Sequence, residues 1–196
     1  MIRFFFIALL FTQGCTSTTL VNDEEKVYYL PLVRKELLDM KERDQAARFK
    51  FMRNKRSDYD SQVNELDIEN TEKLKIIIKQ HGKLEVSNIG KDGLEAVSLI
   101  LIHSPDTNFQ EEMLPFIKKL YSNGALEGQD YALLFDKILV HKGIKQYYGT
   151  QFIFKNGKYI PDEIENESNV DLRRKDVGLP SLSEYSILLN EFYLNK

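Results

Sequence analysis

Residues 96–103, AVSLILIH, are apolar on nearly every face of a helix, and this run constrains the fold more than any other feature. A helix that is hydrophobic all round is buried among other elements. The run therefore predicts a central helix, preceded by a loop around Gly90 and Gly93. A buried strand is the alternative, because the run is short.

Amphipathic helices are predicted on both sides of a polar stretch in the N-terminal half. Apolar residues spaced alternately by four and three indicate a helix over residues 32–52. The same pattern predicts a helix over residues 71–80, which Asn70 or Thr71 would cap and Gly82 would end. Both helices would pack one face against the central helix.

Three more helices are expected towards the C-terminus. One begins after Asp106 or Thr107 and ends at Asn123–Gly124, with Pro115 expected to kink it or to begin a new turn. Another covers residues 129–142. A last helix follows Pro180, because Ser181 and Glu184 have capping-box spacing.

The hydrophobic period changes from helical to alternating between residues 150 and 161. The segments TQFIFK and KYIPDEI flank Asn156–Gly157, a dipeptide that favours a two-residue turn. The predicted fold class is therefore mainly α: one compact helical domain over residues 31–196, with one small antiparallel β-hairpin at about 150–161, near the C-terminal third.

The N-terminus has the pattern of a secretory signal peptide. Arg3 precedes an apolar run over residues 4–11, and Gly14 precedes Cys15. Eight apolar residues make a helix of about 12 Å, too short for a bilayer core of about 30 Å. The Gly–Cys junction predicts a bacterial lipoprotein: a signal peptide at 1–14, then lipidated Cys15 and a tether up to residue 30. An ordinary cleaved signal and a buried apolar strand are the alternatives.

Composition excludes several functional classes. The 196 residues carry a formal net charge of -3 and no long run of either sign, which argues against a nucleic-acid partner. One Cys and three His residues are too few for a typical zinc site, so no metal and no cofactor is expected. The oligomeric state does not follow from these numbers.

Asp44 interrupts the apolar stripe of the first predicted helix. Continuing the stripe from Met40 by four residues reaches this carboxylate, and Arg48 can pair with it at i, i+4 spacing. A buried ion pair is weak evidence for stability, so the pair suggests a site that orients a substrate or accepts a proton. A half-exposed pair at the end of the stripe is the simpler alternative.

His103 ends the central helix and is followed closely by Asp106. The two could act as a base and its orienting group, although no nucleophile accompanies them. A packing or capping histidine is the simpler interpretation.

The segment 146–151, QYYGTQ, joins a helix to the hairpin and carries several polar groups. Such a junction can present ligand-binding groups, or it can satisfy the backbone at a bend. Arg173 and Arg174 could clamp a carboxylate or phosphate, or pair with a helix end or with Asp171.

These residues together resemble a bacterial domain-of-unknown-function family, numbered 6624, over about 37–185. Ile102 departs from the resemblance, which favours Gln before the His. The resemblance implies site positions without chemistry, and it gives these candidate ligand-binding residues: Asp44, Gln45, Arg48, His103, Asp106, Gln110, Asp136, Gln146, Tyr148, Thr150, Gln151, Arg173 and Arg174.

Two functions follow as expectations. The first is a lipid-anchored protein of the bacterial cell envelope, facing the periplasm or the cell exterior, that binds a small polar ligand or an envelope partner. The alternative is a hydrolase or transferase with a polar His, Asp, Gln and Arg site. A third possibility is that the polar residues only join the hairpin to the helices. Whether the chain is an enzyme stays open at this stage.

Overall fold

The computed structural model describes residues 28–54 and 57–194. The predicted signal peptide, Cys15 and most of the predicted tether lie outside the described residues. Within them the chain forms seven α-helices, one 3-10 turn at Glu167–Asn169 and one hairpin. The helices are α1 Pro31–Asn54, α2 Ser57–His81, α3 Val86–His103, α4 Thr107–Ser122, α5 Gly128–His141, α6 Val170–Asp176 and α7 Leu182–Leu194; the strands are β1 Phe152–Lys155 and β2 Lys158–Pro161.

Helix α3 is the centre of the fold. It packs against α1, α2, α4 and α5, and every residue from Leu94 to His103 except Glu95 is buried. The run over 96–103 is therefore a central helix and not a strand. Gly90 interrupts the helix with φ 74°, a conformation that favours glycine, so the expected loop is a single break within α3.

Helix α2 begins earlier than its apolar pattern predicts. The prediction that Asn70 or Thr71 starts a helix is wrong, because both residues lie inside α2. The Thr71 hydroxyl donates a hydrogen bond to the Asp67 carbonyl oxygen at 2.6 Å, which a helix interior tolerates. Helix α4 also runs on through Pro115 to Ser122. Pro115 lacks a backbone N–H donor, and the loss of this single hydrogen bond does not end the helix.

The hairpin follows its sequence signature. Phe152 pairs with Pro161, and Lys155 pairs with Lys158, in antiparallel register. Asn156 and Gly157 form the turn with φ 53° and 76°, as a two-residue turn of this kind requires. The predicted mainly α fold with one antiparallel hairpin is confirmed.

Helix α7 holds the hairpin against the domain. The buried Phe152 ring contacts Tyr185 at 5.6 Å between centroids, and Asn190 exchanges hydrogen bonds with both backbone groups of Tyr159. The predicted capping box is present, since Ser181 and Glu184 bond each other's backbone N–H groups.

Helices α1 and α3 start at the same end of the molecule and run parallel. The chain before α1 bonds to the start of α3, with Tyr29 N–H on the Ser87 carbonyl and Leu30 N–H on the Asn88 carbonyl. At the other end, α1 contacts His103, the last residue of α3. Among the residues described, no helix combines the length and apolarity that crossing a membrane requires.

Candidate functional site

Five charged or ionisable side chains from four helices meet in the interior. We call Asp44, Arg48, Asp67, His103 and Lys137 the polar centre. Asp44 is 2% exposed and continues the buried stripe of Leu37 and Met40 on α1. The centre therefore forms because a helical period carries an acid into the core, where other helices must satisfy it.

Arg48 joins the two carboxylates of the centre. Its Nη2 lies 3.1 Å from Asp44 Oδ1, and it also forms an ion pair with Asp67. The Arg48 side chain is 7% exposed and that of Asp67 is 13% exposed, so neither charge is fully solvated. Gln45 adds a hydrogen bond from its amide Nε2 to Asp44 Oδ2 at 2.8 Å.

His103 contacts this ion pair through one ring nitrogen. Its Nδ1 lies 3.0 Å from Asp44 Oδ2 and 3.0 Å from Arg48 Nε. Its Nε2 is buried and has no hydrogen-bond partner within the described structure. The partner of His103 is therefore Asp44 and not Asp106, whose carboxylate caps α4 through Phe109 N–H at 3.0 Å and pairs with a lysine of α2.

Lys137 and Gln110 bind the last carbonyl groups of α3. The buried Lys137 ammonium donates to the Ile102 carbonyl, and the Gln110 amide donates to the carbonyls of Leu101 at 2.8 Å and Ser104 at 3.0 Å. Carbonyls at a helix C-terminus lack partners within the helix and attract donors and cations. Gln110 therefore fixes the end of α3 that carries His103.

Burial shifts the ionisation of the centre. It lowers the pKa of the His103 imidazole to about 4, with the charge of Arg48 acting in the same direction. Burial raises the pKa of Asp67 to about 6 and lowers the pKa of Lys137 to about 7. Burial also tends to raise the pKa of Asp44, but the hydrogen bond and charge of His103, with Arg48, outweigh it and lower that pKa. At pH 7 the imidazole is thus neutral and both carboxylates are ionised.

A second polar group forms around Asp136 on α5. Its buried carboxylate accepts backbone hydrogen bonds from Tyr147 at 2.7 Å, Tyr148 at 3.0 Å and Thr150 at 3.0 Å, and one from the Thr150 hydroxyl at 3.0 Å. Burial raises the pKa of Asp136, against these hydrogen bonds. Asp136 therefore holds the bend between α5 and the hairpin.

Gln146 and Gln151 lie in the same bend. The Gln146 amide donates to the carbonyls of Gln151 at 2.9 Å and Asp162 at 2.8 Å, and its Oε1 accepts from Gln151 N–H at 2.8 Å. The Gln151 amide donates to the Thr150 hydroxyl at 3.1 Å. These hydrogen bonds are local, so Gln151 belongs with Asp136 and not with the polar centre.

Arg173 and Arg174 bind carbonyl groups of that bend. Arg173 Nε donates to the Tyr147 carbonyl at 2.7 Å. Arg174 donates to the Tyr148 carbonyl at 2.8 Å and to the Pro180 carbonyl at 2.7 Å. This arrangement ties α6 to the hairpin junction, at the two arginines for which the sequence also allows an anion clamp.

Two buried polar residues and one partly buried carboxylate near the candidate site were not predicted as site residues. Asp67 and Asn70 lie on the inner face of α2, and Lys137 lies on that of α5. The amide nitrogen Nδ2 and oxygen Oδ1 of Asn70 both lack hydrogen-bond partners within the described structure. Following the stripe of Leu74 back by four and seven residues reaches Asn70 and Asp67, so extending α2 would have found both.

Asp44, Asp67 and His103 each offer one possible metal-ligand atom, and these atoms lie within 4.8 Å of one another.

A cleft of about 220 Å³ between α1 and α2 is lined by Ala47 and Val63, close in sequence to Arg48 and Asp67. A larger groove of about 600 Å³ lies between the start of α3 and α4 and contains none of the polar centre. We favour the polar centre as the site because that groove holds no comparable chemistry.

Comparison with known proteins gives one match. The model of a family of unknown function, DUF6624, matches residues 31–196, from the first residue of α1 onward. No curated protein and no solved structure matches the chain.

Proposed function

Because the chain belongs to the DUF6624 family, whose function is unknown, we propose a function from the site itself: the polar centre binds a small polar ligand. The observation that carries this proposal is the His103 imidazole, whose Nδ1 contacts Asp44 and Arg48 and whose Nε2 is buried without a partner in the described structure. Buried polar atoms are nearly always satisfied, so an unpaired imidazole nitrogen indicates a group that a ligand completes.

Two neighbouring features support a ligand at this position. The Asn70 amide, one helical turn from Asp67, also lacks a partner within the described structure. A cleft lined by Ala47 and Val63 lies between the two helices that carry Asp44, Arg48 and Asp67. A ligand with both donors and acceptors would fit this mixture of charges.

The proposed setting is the bacterial cell envelope. Arg3, the apolar run over 4–11 and the Gly14–Cys15 junction support cleavage before Cys15 and attachment of lipid to it. Each buried acyl CH₂ contributes about 0.8 kcal/mol, so two or three chains would hold the domain at a membrane surface. A Cys15→Ser chain should lose the lipid mass and leave the membrane fraction; an unchanged mass would contradict the anchor.

Thermal-shift screening tests the ligand. Sugars, amino acids and cell-wall fragments would be screened against the wild-type protein, and positive compounds retested on Asp67→Asn. The matched control is Asp39→Asn, which removes an exposed carboxylate of α1. We expect a stabilising ligand whose effect is lost in Asp67→Asn and retained in Asp39→Asn. Equal shifts in both variants would place binding elsewhere.

The Asp44–His103 contact favours a second candidate, a hydrolase or transferase. Asp44 orients the ring through Nδ1 and leaves Nε2 available as a general base, with Arg48 and Lys137 close enough to stabilise negative charge. Gln151 has no part in this version. Substrate panels of esters, phosphoesters and glycosides would test it: activity that survives His103→Gln and His81→Gln alike would exclude His103 as the base.

A further inference from the structure

Asp44, Asp67 and His103 come from three helices and bring three potential ligand atoms within 4.8 Å of one another. We propose that these residues bind one divalent transition-metal ion such as Zn²⁺ or Mn²⁺. This inference rests on the proposed function, because it names the ligand of the same centre.

The separation of the three atoms suits such an ion. Zinc bonds to nitrogen and oxygen are about 2.0 to 2.2 Å, which places neighbouring ligand atoms of a tetrahedral site about 3.4 Å apart. His103 Nδ1 and the Asp44 carboxylate already lie 3.0 Å apart. The Asp67 oxygen, which lies within 4.8 Å of both, would need to approach by at most about 1.4 Å. One imidazole nitrogen with two carboxylate oxygens is also a donor set that Zn²⁺ and Mn²⁺ accept.

Arg48 explains how the carboxylates stay together without a metal. Its guanidinium contacts both Asp44 and Asp67 and so supplies a positive charge between them. A metal ion would compete with this side chain for the same oxygens. Removing the guanidinium should therefore increase metal affinity, whereas a purely structural ion-pair network would only lose stability.

An unsatisfied amide near Asp67 provides an independent reason for a ligand. The Asn70 side chain is buried on α2, one helical turn from Asp67, and its amide has no partner in the described part of the chain. A hydrated ion brings both a Lewis acid and water molecules, which can accept from and donate to such an amide. Asn70 would then act on a metal-bound water.

Calorimetric titration of the full-length, detergent-solubilised protein with Zn²⁺ and with Mn²⁺, after treatment with a chelator, tests the proposal. We expect one ion per chain, with Asp67→Asn and His103→Gln weakening the affinity at least tenfold. Asp39→Asn and His81→Gln, which alter exposed groups on α1 and α2, should bind like the wild type. Arg48→Met should bind at least tenfold more tightly.

Cobalt absorption supplies a readout that does not depend on stability. Co²⁺ should give d–d bands in the wild type and in Arg48→Met, and these bands should be lost in His103→Gln. Absence of binding in the wild type would overturn the metal site, as would equal affinity in His103→Gln. If no metal binds, but a small molecule binds in the presence of EDTA and its binding requires Asp67, this inference alone is overturned. If neither a metal nor a small molecule binds, the proposed function is overturned too.

Discussion

Replacing Lys137 by Met should remove a large pH dependence from the stability of the protein. Burial lowers the pKa of Lys137 to about 7 in the folded state, against an ordinary value of 10.5. Between these values the unfolded chain holds a proton that the folded chain has released, so the free energy of unfolding rises with pH. One pKa unit corresponds to about 1.4 kcal/mol, which gives about 2 kcal/mol between pH 7 and pH 9.

Urea unfolding at pH 7, 8 and 9 measures this slope. Lys137→Met should lose about 2 kcal/mol of the gain in unfolding free energy that the wild type shows over this range. Lys118→Met, which removes an exposed ammonium from α4, is the matched control and should retain the wild-type slope. A Lys137→Met protein with the same slope as the wild type would refute the burial argument.

Four further results are expected. Asp44→Asn should lower the free energy of unfolding by about 3 kcal/mol, because it removes one of the two carboxylates that compensate the charge of a buried guanidinium. The control Asp39→Asn should cost less than about 1 kcal/mol, and equal losses in urea would contradict the buried network. Asp136→Asn should cost about 3 kcal/mol, because an amide cannot accept all four hydrogen bonds of the bend, and a change below about 1 kcal/mol would contradict that role. Gly128→Ala should lower the melting temperature, because a Cβ would overlap the backbone carbonyl that follows α6, and an unchanged melting curve would count against this packing. The His103 ring should titrate near pH 4 by NMR, whereas a midpoint above pH 6 would contradict its burial.

The helices and the hairpin could be predicted because their local signals agree with the fold. The apolar run of α3, the Asn156–Gly157 turn and the capping box of α7 each specify one structure over a few residues. The first part of α2 gave no such signal, since residues 57–70 are mostly polar and their helix is stabilised by neighbours. Tertiary packing therefore stabilises this part of α2, because its local helix propensity does not suffice.

The candidate site was only partly predictable for a similar reason. Asp44 stood out because it interrupts a stripe that the sequence displays, and Arg48 follows at helical spacing. Which acid His103 would contact depends on how α1 packs on α3, and adjacency along the chain suggested Asp106 instead. Lys137 lies among leucines of α5, where a lysine can equally well extend to solvent. Only the assembled helices show that its ammonium is buried.

The parallel course of α1 and α3 separates the start of the domain from the proposed site. Leu30 meets Asn88 at the start of both helices, whereas the imidazole lies at the C-terminal end of α3 and the carboxylate lies part-way along α1, about 20 Å farther along the helix axes. A lipid on Cys15, as proposed, would therefore be linked to the domain at the end of α3 that is remote from the site.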